Sequence, residues 1–200
     1  MSDLRDLLKK YYPIILLVIV VALSVDLLSF SSVLTGPILA KREREAIITK
    51  LGETFPNMTD SVIIDNVYVV ITANDEILSY AFVAQGYGIG GVIKTLIILE
   101  NENTVKEITV IRQTETPDLG DKITLPDFTT QFAMRKIDEI KLRSEAGQID
   151  AITGATVSSV AVVEMVRNTT LEQLEALPST DEVNTALLEK REKEAEEAGE

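Results

Sequence analysis

An almost uninterrupted apolar run over residues 11–34 constrains this chain more than any other stretch, and its core, Ile14 to Val25, carries no charge. As a helix, these 24 residues would extend about 36 Å, which is enough to cross the hydrocarbon core of a bilayer. Tyr11 and Tyr12 stand at its start, and aromatic residues favour the membrane interface. The sequence therefore predicts one transmembrane helix over 11–34, preceded by a short charged N-terminus, 1–10.

Three questions about this run stay open. A cleaved signal peptide is the competing interpretation, but the run is long for one and no small-x-small cleavage site follows it. Basic residues flank both ends, so the positive-inside rule assigns no orientation. Asp26 is either an intramembrane carboxylate that needs a partner helix or an ion path, or a residue near the outer end that reaches the interface. We favour the second interpretation, because the uninterrupted part of the run ends at Val25.

The absence of Cys and His narrows the possible chemistry. It excludes disulfides, haem and iron–sulfur ligation, the usual zinc sites and catalytic triads that depend on His. No metal site and no catalytic residue is predicted, so any redox function would need an organic cofactor. The net charge of −13 argues against a nucleic-acid partner, because that role requires a basic face.

The rest of the chain has the pattern of a helix, a series of strands, a loop and two further helices. Residues 40–55 and 157–177 have helical periodicity, and residues 128–137 predict a short helix or an irregular segment. Strands are predicted at 62–64, 67–72, 77–84, 92–99 and 105–112, with a hairpin turn at Asn74-Asp75. This order indicates an α+β domain over 35–177, an antiparallel strand meander with flanking helices. Residues 178–200 predict an acidic, mostly solvated helical tail.

Residues 86–91, Gly-Tyr-Gly-Ile-Gly-Gly, match the letters of the dinucleotide-binding pattern G-x-G-x-x-G. That fingerprint must open a helix, whereas Val92 to Leu99 is β-branched and predicts a strand. A glycine-rich connection or bulge between strands is the better interpretation. Glycines there would still allow a flat ligand to lie beside the backbone.

The polar loop 115–122 has one apolar residue, Leu119, at its tip. As a simple turn, Pro117 would fix φ and Gly120 would supply an unusual backbone conformation. As a functional loop, it would place Leu119 on the face of an aromatic ring. Spacing alone favours the simple turn.

Residues 150–159, Asp-Ala-Ile-Thr-Gly-Ala-Thr-Val-Ser-Ser, lead from small residues into an apolar helix. No G-K-[ST] follows, so this is not a P-loop. The hydroxyls of Thr153, Thr156 and Ser159 occupy positions where a helix cap or a phosphate partner would be useful. From the residues alone, a tight turn with a threonine cap is the simpler interpretation.

Taken together, the three stretches resemble a known family. Asp150 to Thr156 resembles the flavin-attachment motif Asp-x-x-Ser/Thr-Gly-Ala-Thr, and Glu115 to Gly120 resembles a second signature, Glu-Thr-Pro-x-Leu-Gly. Gly86-Tyr87-Gly88, with Ile93 nearby, resembles the family's glycine-rich turn. With one N-terminal membrane helix, the chain is similar to the FMN-binding G subunits of Rnf electron-transport complexes. The C subunits of sodium-translocating NADH:quinone reductases share the domain.

The resemblance implies covalent FMN, joined by a flavin transferase through its phosphate to the hydroxyl of Thr156. It makes Asp150, as the acidic residue that leads the motif, part of the cofactor site. The remaining residues that it implies for this site are Thr153, Gly154, Ala155 and Ser159, with Glu115, Thr116, Pro117, Leu119 and Gly120 near the isoalloxazine ring, and Gly86 and Tyr87. Gln113 and Asp118 depart from the family, which often has His and Gly at these positions.

The function expected from this resemblance is a membrane-anchored electron carrier in an Rnf-type ion-translocating ferredoxin:NAD oxidoreductase. Its partners would be the other membrane subunits of that complex, and its FMN domain would lie on the extracytoplasmic side of the cell membrane. The alternatives are the C subunit of a sodium-translocating NADH:quinone reductase, and a single-pass redox sensor built on the same domain. A binding module without covalent flavin, which would be colourless, is a further alternative.

Overall fold

The structure, a computed structural model, describes the backbone of residues 2–198 and the side chains of residues 11–12, 14, 16–25 and 36–196. It divides into two compact units, Met1–Ile47 and Ile48–Glu200. The predicted functional stretches all lie in the second unit.

Helix α1 (Ser2–Thr54) makes up the first unit and continues into the second. Its described side chains between Tyr11 and Val25 are exposed. Within the part of the chain that the structure describes, no helix combines the length and the apolar character that crossing a membrane requires. Part of the predicted span at 11–34 cannot be followed in its side chains, because those of residues 13, 15 and 26–34 lie outside the described residues. Asp26 is among them.

A six-stranded antiparallel sheet forms the centre of the second unit, and its strands are ordered as they occur in the chain. The strands are β1 (Asp60–Ile64), β2 (Val67–Ile71), β3 (Ile77–Tyr87), β4 (Val92–Asn101), β5 (Thr104–Arg112) and β6 (Arg135–Lys136). Asp65 and Asn66, with φ of 46° and 67°, form the two-residue turn between β1 and β2. The predicted α+β fold with a strand meander and flanking helices is confirmed, and the turn at Asn74-Asp75 joins β2 to β3.

Helix α3 (Thr156–Glu175) covers one face of this sheet. Phe82 and Ala84 of β3 and Ile97 of β4 form one buried cluster with Val162 and Val166 of α3. Each of these side chains is almost fully removed from water, which contributes about 1.5–3 kcal/mol for each large apolar residue. Burial on this scale fixes α3, and therefore its first residue, relative to β3 and β4.

Gly86 lets α3 approach β3 closely. A Cβ at Gly86 would lie 3.1 Å from Sδ and 3.2 Å from Cβ of Met165. A side chain here would push the helix away from the strand, so this glycine serves helix packing.

Between β5 and α3 the chain is largely irregular and covers the same core. It contains a 3-10 helix at Gly120–Thr124, helix α2 (Pro126–Thr129) and three further 3-10 turns at Thr130–Phe132, Ile137–Glu139 and Arg143–Glu145. Phe128 and Phe132 pack edge to face with their ring centroids 5.5 Å apart. The predicted short helix or irregular segment over 128–137 is therefore a mixture of both.

Helix α4 (Thr180–Ala198) is docked on the sheet, which differs from the expectation of a solvated tail. Val183 and Leu187, four residues apart on one helix face, are buried against Val62, Val67 and Val69 of the first two strands. Acidic composition predicted exposure, but two apolar residues at this spacing are enough to bury one face of the helix.

A capping box holds the start of α4, and an ion pair holds its second half. Ser179 and Glu182 form a capping box, in which the main-chain N–H and the hydroxyl of Ser179 both donate to Glu182 Oε2 at 2.8 Å. These bonds lower the pKa of Glu182. Towards the other end, both Nη atoms of Arg191 contact the Asp75 carboxylate, and this hydrogen-bonded guanidinium lowers the pKa of Asp75.

Candidate functional site

The N-terminus of α3 presents an exposed threonine at an uncapped helix end. Thr156 is the first residue of the helix, Ala155 precedes it as the N-cap residue, and no side chain caps the helix. Thr156 is exposed, and among the residues that the structure describes its hydroxyl has no hydrogen-bonding partner. The main-chain N–H groups of the first turn and the helix dipole together favour an anion at this position.

The chain enters this helix through a tight turn that requires glycine. Gly154 has φ of 84°, a left-handed conformation that residues with a Cβ adopt at a cost. Ala155 N–H donates to the Ile152 carbonyl at 2.9 Å, and the Ala155 side chain is buried. This turn leaves Thr153 and Thr156 exposed.

Ser159 stabilises the turn from inside. Its hydroxyl accepts a hydrogen bond from Ile152 N–H at 3.0 Å and donates one to the Ala155 carbonyl at 3.0 Å. The side chain is fully buried. Of the three hydroxyls that the sequence placed here, Ser159 therefore supports the backbone, whereas those of Thr153 and Thr156 are accessible.

Asp150 is held at the surface in front of this turn. Its carboxylate forms a two-point contact with Arg143, at 2.7 Å from Nε to Oδ1 and 3.0 Å from Nη2 to Oδ2. Its main-chain N–H donates to Gln131 Oε1 at 2.7 Å. Both charged side chains are more than half exposed, so the pair contributes little stability but fixes the orientation of the carboxylate.

The second stretch meets the first through Glu115, whose side chain is only 7% exposed. Ser158, in the first turn of α3, donates its hydroxyl to Glu115 Oε2 at 2.6 Å, and this bond is buried. Glu115 N–H in turn donates to Gln113 Oε1 at 2.5 Å. The loop after β5 and the start of α3 are therefore joined by a buried carboxylate and a buried hydroxyl.

The third stretch, the turn between β3 and β4, reaches the same carboxylate. Gly90 N–H donates to Glu115 Oε1 at 3.0 Å, and Gly88 N–H closes the turn onto the Gly91 carbonyl at 2.9 Å. Gly91 has φ of 137°, which again favours glycine. The turn connects two paired strands and opens no helix, so the sequence-based rejection of a dinucleotide fingerprint is correct.

The loop that follows Glu115 places Leu119 beside the turn at Gly154 that leads into α3. The Thr116 carbonyl accepts main-chain N–H groups from Leu119 at 3.3 Å and Asp121 at 3.4 Å, which folds the loop back on itself. Leu119 remains 47% exposed, and a Cβ at Gly154 would lie 3.4 Å from its Cδ2. Thr116 and Pro117 are exposed, whereas Gly120 is buried.

Asp118 explains one departure from the family pattern. Its φ is 62°, in the left-handed region where glycine is most at ease and where aspartate is among the better tolerated alternatives. The backbone at this position therefore favours glycine, and aspartate supports the same loop.

Exposed apolar side chains occur on all three stretches. Tyr87 and Ile89 are both 69% exposed, Val157 is 53% exposed, and Leu119 has been described above. These side chains lie on segments that meet at one buried carboxylate, Glu115. Ile89, Val157 and Ser158 were absent from the sequence-based site; the first two are detectable only as exposed apolar residues and the third only through its contact with Glu115.

Residues 88–170 match the family model described as the FMN-binding domain, and that match includes Glu115 and Thr156.

Among its relatives, the chain is 29% identical over 181 residues to the G subunit of the ion-translocating oxidoreductase complex of Methanosarcina acetivorans, covering 84% of this chain and 95% of that protein. It is 32% identical over 93 residues to the G subunit of the proton-translocating ferredoxin:NAD(+) oxidoreductase complex of Clostridium ljungdahlii, covering 45% of this chain and 50% of that protein. The chain thus spans nearly all of the first relative and half of the second.

A solved structure is also similar. This is the C subunit of the Na(+)-translocating NADH-quinone reductase from Parabacteroides distasonis, at 20% identity and a TM-score of 0.48, with 61% of this chain and 80% of that chain covered.

Proposed function

We propose that this chain is an FMN-bearing electron carrier of an Rnf-type ion-translocating oxidoreductase, with FMN bound covalently through its phosphate to Thr156. The observation that carries this proposal is the exposed Thr156 hydroxyl at the uncapped N-terminus of α3, inside a matched FMN-binding domain. The names of the relatives supply the type of complex.

The residues at the helix end fit a phosphate ester. A phosphate on Thr156 would lie where the free N–H groups of the first helical turn favour negative charge. Gly154 carries no side chain, and Thr153 is the other accessible hydroxyl of the turn. Ser159 and Ala155 would stabilise this turn from the protein interior, where both side chains are buried.

The residues of the other two stretches fit the flavin ring. Leu119, close to Gly154, and Val157, next to Thr156 in the chain, offer exposed apolar surface, and Tyr87 and Ile89 expose apolar surface on the third stretch. When bound, the flavin supplies one- and two-electron chemistry that this protein, without Cys or His, does not provide from its side chains. The chain's own contribution is to hold the ring, to exclude water from one side and to set the surrounding charge.

Attachment requires a flavin transferase and an activated flavin nucleotide. The Oγ1–H bond of Thr156 breaks, an Oγ1–P bond to the FMN phosphate forms, and the donor's leaving group departs with the proton. Asp150, oriented by Arg143, is the surface carboxylate of the motif that such a transferase would meet. Exposure of Thr153 and Thr156 leaves the acceptor region open to it.

Fluorescence of the denatured protein tests the attachment. The full chain is co-expressed with a flavin transferase, and its band is examined under ultraviolet light after denaturing electrophoresis. We expect a fluorescent band for the natural sequence and for Thr153→Ala, a matched control three residues away, and none for Thr156→Ala. Retention of the band in Thr156→Ala would refute Thr156 as the acceptor.

The membrane location is a further part of the proposal. Its support is the apolar run over 11–34 in the sequence and the complexes named for the relatives. We expect the FMN domain on the extracytoplasmic side, because the resemblance to Rnf subunits implies that side. A protease added to sealed spheroplasts should then cleave the second unit, and protection from cleavage would refute this orientation.

Purification in mild detergent tests the carrier role. We expect other subunits of an ion-translocating ferredoxin:NAD oxidoreductase to accompany the tagged chain, and the flavin to be reduced when an upstream donor is supplied. Recovery with NADH:quinone reductase subunits would instead support the related C subunit. Recovery without any oxidoreductase subunit would favour the redox sensor.

A further inference from the structure

We propose that Glu115 is a positioning residue: its buried carboxylate locks the glycine turn to the first turn of α3, and thereby orients the threonine that carries the flavin. The flavin part of this statement rests on the proposed function. The locking itself rests only on contacts within the described domain.

Both oxygens of the carboxylate are engaged inside the protein. Oε1 accepts the Gly90 N–H at 3.0 Å, and Oε2 accepts the Ser158 hydroxyl at 2.6 Å. Burial of a carboxylate is unfavourable unless fixed donors replace the lost water, and here the two donors come from two separate segments. Glu115 therefore acts through its neighbours, since its carboxylate is buried and both of its oxygens are engaged within the protein.

Two glycines of the recognised motifs make room for this carboxylate. A Cβ at Gly88 would lie 2.3 Å from Glu115 Oε1 and 2.9 Å from Cδ1 of Ile93. A Cβ at Gly120 would lie 2.5 Å from Oε2 and 2.8 Å from Cβ of Glu115. At both glycines the carboxylate is the nearest neighbour, and these distances are far shorter than any real contact, so a side chain at either position would displace the Glu115 carboxylate. The glycine pattern 86–91 thus reflects, at position 88, a buried side chain rather than the close approach of a ligand.

Gly90 provides a contrast within the same turn. A Cβ there would lie 2.3 Å from the Thr114 carbonyl oxygen and 2.7 Å from Cα of Glu115, both main-chain atoms. Shortening the Glu115 side chain would leave this clash unchanged. Gly88 and Gly90 therefore respond differently to a change at Glu115, although they are two residues apart.

The lock matters for the flavin because of where Ser158 stands. It lies two residues after Thr156, is almost fully buried, and faces Glu115 while Thr156 faces solvent. Without the carboxylate, Ser158 loses its partner and the first turn of α3 loses its fixed relation to the β3–β4 turn. The attached flavin would then sample several orientations.

A stability experiment on the full chain in detergent tests the lock. We expect Gly88→Ala and Glu115→Ala each to lower the thermal unfolding midpoint, by roughly 5–10 °C. Together they should lower it by clearly less than the sum of the two single effects, because Glu115→Ala removes the nearest atoms that a Cβ at Gly88 would meet and leaves only Ile93 Cδ1. Gly90→Ala should remain destabilising in the Glu115→Ala variant, because a Cβ at Gly90 meets main-chain atoms that this change leaves in place. Full additivity of Gly88→Ala and Glu115→Ala would overturn the proposal.

An optical experiment on the flavin-loaded chain tests the positioning. We expect Glu115→Ala to lose most of the visible circular dichroism of the bound flavin, per flavin attached. Glu115→Gln should keep it, because the amide oxygen can accept the Gly90 N–H and the amide nitrogen can donate to Ser158. Ser158→Ala, which leaves Glu115 in place and removes one bond, should give an intermediate signal. An unchanged signal in Glu115→Ala would refute the positioning role.

The two proposals fail in different ways. A natural chain without a fluorescent band refutes covalent FMN, and with it the flavin half of this inference. The coupling between Gly88 and Glu115 in the stability experiment then decides the structural half by itself. Conversely, additivity in that experiment removes the lock while leaving Thr156 as the flavin acceptor.

Discussion

The substitution Ser159→Ala should show how strongly a buried hydroxyl stabilises the turn over 152–155 that leads into α3. The change removes two hydrogen bonds, from Ile152 N–H and to the Ala155 carbonyl, each 3.0 Å long. The Ala155 carbonyl keeps a main-chain partner, the Ser159 N–H at 3.0 Å. Ile152 N–H keeps none of its own, and a donor left unsatisfied in a partly buried place costs about 1–3 kcal/mol.

Thr170→Val on the same helix is a matched control. Thr170 is fully buried, and its hydroxyl donates to the Val166 carbonyl at 2.6 Å, the same backward contact that Ser159 makes to Ala155. Valine preserves the volume, and no main-chain N–H loses a partner. We therefore expect a cost of about 0.5–1 kcal/mol, the net value of an ordinary hydrogen bond.

Urea unfolding of both full-chain variants in detergent, followed by circular dichroism, measures the difference. Ser159→Ala should be the less stable, and it should also take up flavin more slowly at Thr156, because the turn that presents this residue becomes mobile. Equal free energies of unfolding for the two variants would refute the argument that Ile152 N–H depends on Ser159.

Three further outcomes follow from the structure. Asp118→Gly should raise the free energy of unfolding by about 0.5–1 kcal/mol, because glycine adopts the φ of 62° at this position more easily than aspartate does. Urea unfolding measures this change, and a lower free energy of unfolding would contradict it. Ser179→Ala should destabilise the chain by about 1 kcal/mol, because α4 loses its cap. Amide hydrogen exchange in α4 should then become faster, and an unchanged exchange rate would count against this prediction. The pKa values of Asp75 and Glu182 are lowered in the folded state. Their contribution to stability is therefore complete above the ordinary carboxyl values, about 4, and is lost as pH falls through the lowered values. The thermal unfolding midpoint should therefore fall as pH is lowered over that range, and it should fall less steeply in Asp75→Asn. The same pH dependence in both proteins would exclude the contact between Asp75 and Arg191 as a cause of the loss of stability.

The sheet was largely predictable because its signals are local. Alternating β-branched residues and the turn at Asn74-Asp75 identify strands, and each strand pairs with its neighbour in the chain. The connection 86–91 was correctly separated from a dinucleotide fingerprint because Val92 begins a strand. These conclusions needed no knowledge of distant contacts.

The arrangement of the site was less predictable, because it depends on contacts between distant segments. Glu115 looks like an ordinary loop residue in sequence, and only folding brings it to Gly90 and Ser158. The roles of the hydroxyls were equally hidden: a cap by Thr153 or Thr156 was the simplest interpretation, yet Ser159 supports the turn and no side chain caps α3. Charge composition likewise concealed the buried face of α4.

The order of the strands has a consequence for how the domain folds. Each strand pairs with the next one to emerge from the ribosome, so the sheet can assemble progressively from contacts that are close in sequence. Helix α3, whose partners are on β3 and β4, is synthesised after all six strands. We expect the acceptor threonine to reach its final environment late, and pulsed hydrogen exchange during refolding should find β3 and β4 protected before the turn at Thr156. Under the proposed function, flavin would then be joined to Thr156 only after the sheet exists.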